Sequence, residues 1–91
     1  MKFDFDHAKS LKNKEKHGID FTQAAKLWDS PVVTLIANHK DEPRQLHIGI
    51  ILGKNWTAIV TLRGKTIRII SVRRSRKNEE AIYKEEIGKP L

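Results

Sequence analysis

Residues 56–74, WTAIVTLRGKTIRIISVRR, decide the fold. Two runs rich in β-branched residues, 56–63 and 66–74, meet at Gly64-Lys65, where glycine at the first turn position suits a tight type II′ hairpin. That turn pairs Leu62 with Ile67, Val60 with Ile69, Ala58 with Ser71 and Trp56 with Arg73 on a first, almost wholly apolar face. The second face carries Arg63 with Thr66, Thr61 with Arg68, Ile59 with Ile70 and Thr57 with Val72, so it is cationic at the turn and apolar away from it.

The preceding run, LHIGIIL at 46–52, adds a third strand through the loop Gly53-Lys54-Asn55, with Leu52 opposite Trp56. Leu46, Ile48, Ile50 and Leu52 then join the first face, while Gln45, His47, Gly49 and Ile51 join the second, in a row that reads His47, Thr61, Arg68. A slip of one residue would exchange the faces, so apolar burial constrains the pairing. Residues 31–37, PVVTLIA, form a further strand, and 38–44 is a polar connection containing Pro43.

Upstream, Phe3 and Phe5 alternate with Asp4 and Asp6 as a short edge strand. Asp6 then caps a helix over 7–17, whose apolar positions are chiefly Ala8 and Leu11. Gly18 supplies its left-handed end and Ile19 the apolar contact beyond it. A second helix opens at Asp20 with Gln23 placed as in a capping box; Phe21, Ala24, Ala25 and Trp28 share one face, and Pro31 ends it. Ser75 or Asn78 caps a last helix to about Ile87, closed by Gly88 and Pro90. Its Ala81, Ile82 and Tyr83 face Ile59, Ile70 and Val72. The reading is an α+β domain over residues 1–91: a four-stranded antiparallel meander with an added N-terminal edge strand, two leading helices on one face and a C-terminal helix on the other.

The chain carries 18 Lys and Arg against 11 Asp and Glu, a formal charge of +7. Residues 43–78 hold nine of those cations and no acid, so that span is +9 and the rest is −2. Such a field draws polyanions. Cysteine is absent, and no apolar run approaches the roughly 18 residues of a spanning helix, which places the chain in the cytoplasm with no membrane contact. Phosphate loops, HExxH and Gly-x-Ser-x-Gly are missing, the histidines lack ligand spacing to one another, and no metal or other cofactor is expected.

FDFDHAKSLKNKEKHGIDFTQAAKLWDSP at 3–31, the loop residues Glu42 and Arg44, Ile48-Gly49, and VTLRGKTIRIISVRRSRKNEEAIY at 60–83 together resemble the BrnT-type ribonuclease toxins of type II toxin–antitoxin systems. Lys16-His17-Gly18-Ile19 is the most recognisable element. Val72-Arg73-Arg74 departs from the more usual Ala-Arg-Lys, and Leu62 stands where an acidic residue is common. The resemblance implies a RelE-like fold and RNA cleavage. It also implies a hetero-oligomer with an antitoxin whose DNA-binding part is of ribbon-helix-helix type, with DNA touched only through that complex.

Cleavage without metal needs a base near the 2′-hydroxyl and cations around the phosphorane oxygens. Arg63 and Arg68 on the second face are the first candidates for the cations. Arg73 either joins them or covers Trp56 as a cation–π contact. His47 is the candidate base. Lys16 and His17 either take part in catalysis or complement the helix dipole, and Arg44, Lys65, Arg74 and Arg76 complete an RNA-binding surface, Arg44 otherwise serving only to solvate its loop. A non-catalytic nucleic-acid binder or translational regulator using the same basic face is the alternative.

Overall fold

The computed structural model describes residues 2–89; Pro90, expected to help end the last helix, lies outside them. In chain order the elements are β1 (Lys2–Asp4), α1 (His7–His17), α2 (Phe21–Ala24), a 3-10 turn (Ala25–Asp29), β2 (Val33–Ile36), β3 (Gln45–Ile51), β4 (Lys54–Arg63), β5 (Thr66–Arg74) and α3 (Lys77–Ile87). They make one five-stranded sheet in the order β1-β5-β4-β3-β2. β2 to β5 form the expected antiparallel meander, and β1 joins it as the N-terminal edge strand, running parallel to β5 with Phe3 beside Ile67 and Asp4 beside Arg68, so the five-stranded sheet is mixed.

The central hairpin forms as its turn chemistry dictates, with Gly64 at φ 60° and Leu62↔Ile67, Val60↔Ile69 and Thr61↔Arg68 in register. A bulge then intervenes. Ile59 pairs with Ser71 rather than Ile70, and the pairs beyond are Ala58↔Val72, Thr57↔Arg73 and Trp56↔Arg74. One extra residue on one strand reverses which face every later side chain meets. Val72 thereby enters the first face, fully buried. Arg73 is on the second face, not on the apolar one, and Arg74 takes the position over Trp56, its guanidinium carbon 5.6 Å from the ring centre.

The β3–β4 connection also differs from expectation. Leu52 and Gly53 adopt φ 49° and 76°, making a two-residue turn with Ile51 opposite Lys54. Positive φ at both central positions is the type I′ geometry that matches strand twist. The pairing is three residues from the expected one, an odd shift, so the faces of β3 are exchanged. Leu46, Ile48 and Ile50 point to the second face, and Gln45, His47, Gly49 and Ile51 to the first. Packing explains the choice: a Cβ on Gly49 would stand 2.9 Å from Leu27 and 3.2 Å from Val32, so only glycine admits the 3-10 turn against the sheet there.

Asp20 and Gln23 close their capping box, with Gln23 N–H donating to the Asp20 carboxylate at 2.7 Å and Asp20 N–H to the Gln23 carbonyl at 3.0 Å. The segment tightens after Ala24, and the 3-10 period of three brings Phe21, Ala24 and Leu27 to one side, all fully buried. Leu27 thus occupies the core place that an α-helical period assigns to Ala25. These residues pack with Ile19, Val60, Ile67, Ile69 and Val72 on the first face, each large side chain stabilising the fold by about 2 kcal/mol.

α1 has the expected bounds and caps: Lys9 N–H donates to Asp6 at 3.0 Å, and Gly18 sits at φ 85° with its N–H on Lys14 O. Its buried residues, however, are Ser10 and Asn13, whereas Ala8 and Leu11 are exposed. Ser10 Oγ accepts from Phe21 N–H at 2.9 Å. Asn13 pairs with the backbone of Val72 through both atoms of its amide, donating to O at 2.9 Å and accepting from N–H at 3.1 Å. Beyond the end of β1, this side chain completes the β5 edge as a neighbouring strand would.

α3 lies on the second face against β2 and β3. Tyr83 donates to Pro31 O at 3.1 Å and Thr57 Oγ1 to Glu79 at 3.1 Å. Ile82 and Tyr83 are half-buried, Ala81 is exposed, and Val72 is on the opposite side of the sheet from them. The helix starts at Lys77 after Arg76, whose N–H donates to Glu79, so neither Ser75 nor Asn78 caps it.

Candidate functional site

β5 is the spine of the cationic surface. Along its second face lie Arg68, Ser71 and Arg73, and α1 runs beside it. Between them is a groove of about 170 Å³ walled by Lys9, Lys12, Lys16 and His17 from the helix and Ile70 and Ser71 from the bulge. Positions 9, 12 and 16 recur at i, i+3 and i+7, which aligns three ammonium groups on one helical stripe. The bulge at Ile70 and the clamp of Asn13 onto Val72 hold that stripe against the strand.

Two arginines of the second face, Arg68 and Arg73, have partners within the chain. Arg68 pairs with Asp4 on the adjoining strand. Arg73 grips Glu79 with both terminal nitrogens, at 2.7 and 2.9 Å. Glu79 is 3% exposed. Burial by itself raises its pKa, but the Arg73 hydrogen bond, the Arg76 N–H, the Arg73 charge and the Thr57 hydroxyl outweigh it, bringing the carboxyl to about 2. Arg44 holds Glu42 at 3.1 Å through Nε and 2.8 Å through Nη2. Among the described residues no carboxylate lies within ion-pair distance of Lys9, Lys12, Lys16 or His17. The groove therefore holds uncompensated positive charge, while Arg68 and Arg73 are held by their carboxylates.

Lys16, His17 and Arg73, read separately from the sequence, come together. His17 is half-exposed and its pKa is lowered, first by burial and then by the charges of Lys16 and Arg73. Arg63 and Arg68 share the second face as diagonal neighbours across the hairpin, with Arg63 exposed at the turn next to the exposed Lys65. Arg44 stands at the same end, where Pro43 O accepts from Thr61 at 3.0 Å. Arg76 is exposed at the start of α3, and Arg74 lies on the first face, where its Nε donates to Asn55 O at 3.1 Å.

His47 does not join them. It lies on the first face opposite Ala58, beneath the 3-10 turn, so the expected row of His47, Thr61 and Arg68 does not form. Nδ1 accepts from Trp28 Nε1–H at 2.9 Å, which leaves the proton on Nε2 facing Gln45 Oε1 at 2.8 Å. Burial lowers its pKa and keeps it neutral. Lys9, Lys12, Ser71 and Glu79 were not singled out from sequence. The i, i+3, i+7 spacing of the lysines was the available signal.

A mixed sheet with helices on both faces and a cationic groove between β5 and α1 defines a small α+β protein with a basic surface. The model of the family described as "Ribonuclease toxin, BrnT, of type II toxin-antitoxin system" matches residues 5–79, and the chain belongs to that family. Among curated proteins none matches the chain. The family pairs each toxin with a protein antitoxin. Among the described residues no helix is long and apolar enough to cross a membrane.

Proposed function

We propose that this chain is a metal-independent endoribonuclease toxin, a single cytoplasmic domain of RelE-like fold over residues 1–91, which cleaves RNA by attack of a 2′-hydroxyl on the adjacent phosphate. An antitoxin with a ribbon-helix-helix DNA-binding part silences it. The observation that carries this reading is the unpaired stripe Lys9, Lys12, Lys16 beside a half-exposed His17 and a rigid Arg73.

His17, neutral at physiological pH, takes the 2′-hydroxyl proton as the 2′-oxygen bonds to phosphorus; the bond to the 5′-oxygen breaks, leaving a 2′,3′-cyclic phosphate and a 5′-hydroxyl protonated from solvent. Lys12 and Lys16 receive the charge that builds on the non-bridging oxygens, and among the described residues neither has a carboxylate to leave first. Arg73, locked by Glu79, presents its guanidinium edge without reorganising. Arg68, Arg63, Lys65 and Arg76 extend the track and receive flanking phosphates, with Arg44 and Arg74 at its margins.

Incubating the purified chain with RNA in EDTA tests this. Fragments are expected with the parent, and His17→Ala and Lys16→Ala should each slow their release by about 100-fold with an unchanged circular dichroism spectrum. Salt-sensitive RNA binding without fragments would instead make the chain a non-catalytic regulator.

A further inference from the structure

A cavity of about 380 Å³, more than twice the volume of the groove, opens on the first face at the opposite side of the α1 C-terminus. Ile19, Ile51, Leu52 and Trp56 supply its apolar wall, and the exposed Lys26 and Lys54 border it. Leu52 is 91% exposed. Its left-handed backbone in the β3–β4 turn costs about 1 kcal/mol for a residue of this kind, yet it displays an isobutyl group to solvent beside the cavity. The Trp56 ring that forms another wall is roofed by the Arg74 guanidinium.

We propose that this cavity anchors the protein antitoxin: an apolar side chain inserts between Leu52 and Trp56, carried on an acidic segment whose carboxylates meet Lys26, Lys54 and Arg74. Charge selects the occupant. A second copy of this chain, at +7, would bring like charge to a cationic rim. A nucleic-acid strand would satisfy the lysines but leave the aliphatic wall of Ile19, Ile51 and Leu52 wet. The position also explains silencing, because Gly18 lines the cavity while Lys16 and His17 line the groove. A chain seated here lies beside the end of α1 that carries the proposed catalytic residues. The inference rests on the proposed nuclease site only for that last consequence.

The test is titration of the full chain with its purified cognate antitoxin, without RNA. Leu52→Asp suits the left-handed turn better than leucine and should weaken binding by about tenfold or more, as loss of a buried anchor does. The double variant Lys26→Glu, Lys54→Glu should weaken it by a similar factor and remove much of its salt dependence. Both variants should cleave RNA at the parental rate when no antitoxin is present, and continue at antitoxin concentrations that silence the parent. Affinities within about twofold of the parent for both would overturn the proposal. So would a parental homodimer that Leu52→Asp makes monomeric with antitoxin affinity unchanged, which would assign the cavity to a second copy. Failure of the parent to cleave RNA would overturn the nuclease reading and leave the binding result standing.

Discussion

Arg73 and Glu79 meet fork to fork, with Nη1 donating to Oε1 at 2.7 Å and Nη2 to Oε2 at 2.9 Å, and this pair ties the start of α3 to the second face of β5. Desolvation opposes the charged carboxyl, but the Arg73 contacts and the Arg76 N–H win and hold its pKa at about 2, against an ordinary 4.5. The folded pKa lies below the unfolded one, so the pair stabilises the fold fully above the unfolded value and its contribution disappears as pH falls toward 2. The difference corresponds to about 3 kcal/mol. Urea unfolding of the parent should lose that amount across the acid range. Glu79→Gln should be destabilised by about 3 kcal/mol near neutrality and show no such loss. Parallel pH curves for the two proteins would mean that the pair contributes nothing.

His47 gives the opposite expectation from a surface histidine. Burial lowers its pKa, so protonation favours the unfolded chain: stability is complete above the ordinary value of 6.5 and declines below it. Removing the acceptor in His47→Ala leaves the part-buried Trp28 Nε1–H without its partner and should cost about 1 kcal/mol. RNA cleavage by the folded fraction should be unchanged. A large fall in turnover at full folding would return His47 to the list of catalytic groups.

The elements legible in the sequence were those whose ends are written in local chemistry. Asp6 and Gly18 bound α1, Asp20 and Gln23 open α2, and Gly64 turns the hairpin. The faces were less legible because two register choices depend on tertiary packing. Leucine seldom takes a left-handed backbone, so nothing nominated Leu52 as a turn residue in place of Asn55; the close seat of Leu27 on Gly49 settles it. Ile70 looks like any strand residue, and the bulge there follows from burying Val72 under the Asn13 clamp. Both errors moved candidate residues between faces: His47 leaves the cationic side and Arg73 joins it. The groove itself went unread because a lysine-rich helix ordinarily lies in water. Its buried side turns out to be polar, through Ser10 and Asn13.

Asn13 makes three hydrogen bonds, donating to Ile19 O at 2.8 Å and to Val72 O at 2.9 Å and accepting from Val72 N–H at 3.1 Å. An aspartate of the same shape keeps the acceptor but faces two carbonyls without a donor. Asn13→Asp is therefore expected to destabilise by about 2–4 kcal/mol, the cost of unsatisfied buried groups with a charge added. Hydrogen exchange at the Val72 amide reports it directly. Protection there should fall in Asn13→Ala while the Val60 amide, in the middle of the sheet, stays protected. Equal protection at Val72 in the variant would show that the β5 edge does not need the clamp.

The lysine stripe makes a quantitative prediction about salt. Each phosphate contact to a single strand contributes roughly 0.7 to the slope of log affinity against log salt. Lys9→Gln and Lys12→Gln should each lower that slope by about 0.7 and weaken RNA binding without regard to sequence. Arg44→Gln, whose guanidinium is occupied by Glu42, should lower it less. Equal effects from all three would mean that the groove is not the RNA track.

His17 sets the pH dependence of cleavage if it is the base. Burial and the charges of Lys16 and Arg73 lower its pKa, so the rate should rise with pH along an acid limb whose midpoint lies below the ordinary 6.5. Lys16→Gln removes one of the charges that disfavour protonation, so the limb should move toward higher pH, a displacement that a merely structural lysine would not cause. In His17→Ala the residual rate should lose the limb altogether. Persistence of the same limb in that variant would assign the proton transfer to another group and leave His17 with only its place at the negative end of the α1 dipole.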